Sequence, residues 1–104
     1  MGWPFAIAAP TLDSDFITVP TSSTLVPTVA AAGTSAWLQG ANFCNTTTGT
    51  ITVTLTDGAG NKILNAYPIG PSLSVSFEWA FMPVTGLKWL ASVTGLTGKA
   101  WGYV

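Results

Sequence analysis

A chain of 104 residues is one domain by size, and three lysines against four acids leave a net charge of −1. Charged residues make up 7% of it, with no arginine and no histidine. That excludes Ser-His-Asp and Cys-His nucleophile pairs, His-bearing zinc sites and the clustered cations that phosphate neutralisation needs. An ordinary soluble domain carries about 25% charge. Here hydrophobic residues reach 48%, with five tryptophans. That is more than one small core needs, so the expectation is a surface covered by copies of the chain or by a larger partner.

The segment from Met1 to Phe5 has no basic n-region, and the apolar run Phe5 to Ala9 ends at Pro10, too short for a signal peptide. Gly2 lacks the Ser or Thr that a myristoylation motif places where Ala6 stands. No run approaches the ~20 apolar residues of a membrane span. One free Cys44 fits synthesis in a reducing compartment, and its default role is that of a small buried hydrophobe. The chain reads as an unprocessed cytoplasmic product that contacts neither nucleic acid nor membrane.

Residues 1–30 are rich in Pro, Thr and Ser and read as an extended N-terminal arm, with residues 31–104 as the β domain. Within the arm, Asp15 to Val19 and the weaker, edge-like Ser22 to Pro27 have strand character. Asp13 and Asp15, two apart on an extended segment, suit solvation or turn capping better than Ca²⁺. Ala30 to Ala32 allow a single helical turn, bracketed by Pro27 and Gly33. Beyond it come strands at Ala36 to Asn45 and Thr50 to Thr56. In the latter Ile51, Val53 and Leu55 alternate with threonines that suit a pleated, uncharged outer face. Asp57-Gly58-Ala59-Gly60-Asn61 is a hairpin loop leading into Lys62 to Tyr67. Ser72 to Trp79, Leu87 to Val93 and Lys99 to Val104 complete the set. Turn signals every 8–12 residues or so mark an all-β sandwich, jelly-roll-like, of seven or eight short strands.

Catalysis finds little support. Asp57 and Glu78 are the one conceivable glycosidase pair, and nothing in the sequence brings them together. The chain is therefore expected to be no enzyme, with no cofactor and no metal. The tryptophans are the stronger signal. Trp79, Trp89 and Trp101 fall at core-like phases of their strands. Trp3 and Phe5, with Phe16 further along the arm and Trp37 on the body, are the expected protein-interface residues. The competing reading is a carbohydrate-binding or fibre/tail adhesion module, with indoles stacked on sugar rings. Only Gln39, Asn42, Asn45, Asn61 and Asn65 then stand ready to bond sugar hydroxyls. Asn45-Thr46-Thr47 is a glycosylation sequon in form, relevant only to a secreted chain.

Three stretches, NTTTGTITVTLTDGAGNKIL, YPIGPSLSVSFEW and TGLKWLASVTGLTGKAWGYV, resemble a class of small β-sandwich accessory virion proteins of tailed bacteriophages. The likeness covers Asn45 to Val104 and rests on turn and strand patterning. It implies a capsid cement or decoration protein, or a head–tail or fibre module. Such a protein would be located in the virion after assembly in the host cytoplasm. It would partner the major capsid protein or another virion protein as a homo-oligomer, with a trimer expected.

Overall fold

Alternation of apolar and polar residues sets the best-defined strands. The computed structural model describes residues 12–27 and 35–103. Nine strands are present among them: β1 (Leu12–Asp13), β2 (Ile17–Thr18), β3 (Thr24–Leu25), β4 (Ser35–Asn45), β5 (Ile51–Thr56), β6 (Lys62–Ile69), β7 (Ser74–Thr85), β8 (Lys88–Ala91) and β9 (Leu96–Tyr103). In β5 the expected pattern holds, with Ile51, Val53 and Leu55 buried and the threonines between them half-buried on the other face.

All pairings are antiparallel. One sheet runs β1-β9-β4-β7 with β2 also on β9, and the other runs β3-β8-β5-β6. β1 and β2 lie along the same neighbour and form one strand broken at Ser14–Phe16, where Asp15 has φ 56°. Ser14 bridges the break. Its N–H donates to the Ala100 carbonyl at 3.0 Å, and its hydroxyl accepts the Ala100 N–H at 3.0 Å. Counted this way there are four strands in each sheet. The chain crosses between sheets at every connection except β1–β2 and the β5–β6 hairpin, which is the order of a jelly roll.

The sheets close on a core that includes Leu38, Phe43, Leu55, Ile69, Leu87, Trp89 and Leu96. Phe43 meets Trp89 edge-on at 6.1 Å. Phe43 also lies against Gly98 of β9, where a Cβ would come within 2.8 Å of the ring, so this inward position of β9 must stay bare.

Several expectations need correction. The described part of the arm, residues 12–27, is built into the sandwich: β1, β2 and β3 are edge strands, and Val19 and Val26 are core. Proline and serine spacing signals irregular chain, but two-residue pairings and two buried valines suffice to fix it. Trp89 is core as expected, and Trp79 packs partly against it. Trp101 instead faces outward, because Gly98, Ala100 and Gly102 take the inward positions of β9. Cys44 is only half-buried, on the outer face between Thr97 and Ser74. β7 continues beyond Trp79 to Thr85, since β4 offers it partners through Ser35. Trp3, Phe5 and Ala30 to Ala32 lie outside the described residues.

Candidate functional site: the outer face of the β1-β2-β9-β4-β7 sheet

Antiparallel register places directly opposed residues on one face, so the outward side chains form rows across the strands. One row is Tyr103, Trp37 and Pro83. The next is Asp13, Trp101, Gly40 and Glu78, and beyond it lie Lys99, Asn42 and Ser76. Both sequence-derived interface candidates that fall in the described chain are strongly exposed, Phe16 at 56% and Trp37 at 49%. They lie toward opposite ends of this face.

At one end Trp37 is flanked by Pro83 and Tyr103, and the ring of Phe81 reaches Tyr103 at 5.5 Å between centroids. Phe81 is 50% exposed and holds φ 54°, a left-handed conformation rare outside glycine. The adjoining row, Ser35 and Thr85, is joined by a 2.9 Å hydroxyl–hydroxyl bond. These two rows carry no formal charge.

Further along β4 the character changes. A bulge between Leu38 and Gly40 absorbs Gln39, and the indole of Trp101 lies over Gly40. Lys99 extends between two rings, its Nζ 5.5 Å from the centroid of Phe16 and 6.0 Å from that of Trp101. Its ammonium pairs with Asp13 Oδ2 at 3.2 Å, while Asp13 Oδ1 accepts the N–H of Asp15 at 2.8 Å. That Asx turn explains the Asp13/Asp15 spacing without a metal. The Asn42 amide donates to Ser76 Oγ at 2.6 Å, and its Oδ1 accepts the Ser74 hydroxyl at 3.2 Å. Asp13, Phe16, Asn42, Ser76, Lys99 and Trp101 together line an open cleft of about 390 Å³.

Among the remaining polar candidates, Asn45, Asp57 and Asn61 serve the fold. Asn45 is fully buried. Its Nδ2 faces the carbonyls of Gly49, Ile69 and Gly70 at 2.7, 2.9 and 3.2 Å, and its Oδ1 accepts from Thr47 N–H at 2.9 Å and Thr47 hydroxyl at 2.6 Å. The sequon asparagine is thus an internal bracket. In the β5–β6 turn Asp57 Oδ1 accepts from the N–H groups of Ala59 and Asn61, and Oδ2 from the Asn61 amide, each at 2.9 Å. The Asn61 amide, then the Asn61 N–H, hold the Asp57 carboxyl below its ordinary value. Asp57 therefore belongs to a turn of one sheet and Glu78 to the outer face of the other. Gln39 sits at the bulge and Asn65 is exposed on β6.

Sequence reasoning named Phe16 and Trp37 but assigned Trp101 to the core and attached no role to Lys99, Ser76, Phe81 or Tyr103. The signal was present in LTGKAWGY. Lys99 and Trp101 are two apart, and a lysine on an alternating strand faces water, so the tryptophan must share its side. No family model matches the chain, and no curated protein or solved structure matches it.

Proposed function

We propose that the domain is a structural component of a tailed-phage virion, a capsid cement or decoration protein that bridges neighbouring shell subunits. It binds the major capsid protein through the uncharged end of the sheet face, and it does so as a homo-oligomer, a trimer. The observation that carries this reading is the cluster of exposed Trp37, Phe81 and Pro83 around the half-buried Tyr103. Aromatic residues concentrate at the centres of protein interfaces, where each buries a large area for few rotatable bonds. Hydroxyl-bearing neighbours such as Ser35 and Thr85 are covered without the desolvation of charge. The jelly roll is one of the folds that viral capsid domains use. No catalytic step enters this reading.

The test is co-sedimentation of the purified chain with shells that lack it, alongside its mass in solution by light scattering. Saturable binding that Trp37→Ala weakens, with a trimeric mass, is the expected result. A monomer that leaves the shells in the supernatant overturns the proposal.

A further inference from the structure

We propose that the cleft between Phe16 and Trp101 is a saccharide site that takes one neutral pyranose ring, a binding activity additional to shell attachment. Gly40 forms the floor of the site beside Trp101. With no side chain beneath it, the Trp101 indole lies close against the sheet. An aromatic face carries negative potential and attracts the weakly positive C–H groups of an apolar sugar face. Phe16, more than half exposed, stands on the far side of Lys99 as a second wall.

Around these rings the sheet presents polar groups of both kinds. Lys99 supplies N–H donors, Asp13 carboxylate oxygens, Asn42 an amide and Ser76 a hydroxyl. These suit hydroxyl groups, each of which donates and accepts. The polar groups are held in place before any ligand arrives, Lys99 by Asp13 and Asn42 by Ser74 and Ser76. Pre-ordering of this kind lowers the entropic cost of binding. The one ammonium and one carboxylate of the cleft cancel, which favours a neutral ring over an acidic one. A cleft of about 390 Å³ lies at the small end of ligand sites. Asn42 is five residues along β4 from Trp37, roughly 16 Å at ~3.3 Å per residue, while Trp101 stands in the row next to Trp37 and Tyr103, so the sugar site adjoins the docking end and extends away from it.

The test is calorimetric and NMR titration of the full chain, free of particles. The probes are methyl β-D-glucopyranoside, methyl β-D-galactopyranoside and N-acetylglucosamine, with sodium glucuronate as the acidic arm. At least one neutral probe is expected to saturate one site per chain with a Kd on the order of millimolar, as befits so small a ligand. Trp101→Ala weakens that binding about tenfold or more, whereas Trp101→Phe, which keeps a flat ring and guards against misfolding, stays within a few-fold. Tyr67→Ala, on the other sheet, leaves it unchanged. Saturation by none of the neutral probes, saturation by glucuronate alone, or unchanged binding in Trp101→Ala overturns the proposal. Each result is independent of shell binding, which is read on particles.

Discussion

The indole of Trp101 occupies the space above Gly40 that a side chain would fill. The two residues face each other across β9 and β4, so the glycine leaves the room that the indole takes against the sheet. Gly40→Ala sets a methyl group against the indole, within 2.7 Å of its ring atoms. Overpacking of that kind costs about 1–3 kcal/mol. Here the indole can swing outward, so the lower half of that range is expected. Urea unfolding measures the cost, and acrylamide quenching reports the greater exposure of Trp101. A variant as stable as the wild type, with unaltered quenching, would contradict the contact.

Asn45 is the internal tie of the β4–β5 corner. Its amide faces three backbone carbonyls, one of them in a fully buried bond to Ile69, and its oxygen holds Thr47 twice. Asn45→Ala leaves these groups without their partner in a dry site, where each unmet polar group costs ~1–3 kcal/mol. A loss of roughly 3 kcal/mol or more follows, a large share of a small domain's stability. Thr47→Ala, which retains the three amide–carbonyl contacts, should cost about 1 kcal/mol. Equal losses in the two variants, measured by urea unfolding, would show that the amide side carries no weight.

The alternating strands were legible in the sequence because period two is a strong signal, and β4, β5 and β6 begin or end within a residue or two of their expected bounds. β2 and β3 fall inside the expected segments Asp15 to Val19 and Ser22 to Pro27, shortened to two residues each, whereas β1 was not legible, since its two residues draw their order from β9 and not from their own pattern. The tail of β7 was hidden by Pro83. A proline on an edge strand is tolerated when its missing N–H would have faced outward, and β7 is such an edge. The site was half legible. Phe16 and Trp37 were named from their residue type and place in the chain, and both are exposed, but the cleft joins residues from β1, the β1–β2 break, β4, β7 and β9. Only the strand order brings those together.

Phe81 combines an unfavourable backbone with a useful position. A non-glycine residue at φ 54° costs about 1–2 kcal/mol, while its contact with Tyr103 returns ~0.5–1.5 kcal/mol. Phe81→Gly removes both, so its stability should stay within ~1 kcal/mol of the wild type. On the proposed docking mode, particle binding should nevertheless fall about tenfold, because an aromatic of the proposed interface is lost. A shell-binding isotherm beside a urea curve separates the two quantities. Full occupancy in Phe81→Gly would remove this end of the sheet from the docking surface.

Removing residues 1–10 tests whether the segment before β1 anchors the particle. The deletion ends short of Leu12, so the pairing of β1 with β9 and the Ser14 bridge to Ala100 remain. The truncated chain should unfold at a urea midpoint close to that of the full chain, yet co-sediment with shells less completely, since the segment adds contact to that of the Trp37 end. Undiminished co-sedimentation would assign attachment to the Trp37 end alone.

The Asp57 turn sets an acid limit that can be read without particles. The bonds from Asn61 and Ala59 reach the carboxylate form, so its folded value lies below the ordinary 3.8. For a lowered carboxyl the unfolded chain takes up its proton first as pH falls. The stabilisation is therefore complete above pH 3.8 and fades as the pH drops through the lowered folded value. Because the turn is open to solvent, the contribution is modest and sensitive to salt. Asp57→Ala should unfold at lower urea than the wild type near neutral pH, and the gap should narrow toward pH ~2. Paired urea curves across that range measure it. A gap that stays constant with pH would mean that the turn is held by backbone geometry and not by the charge on Asp57.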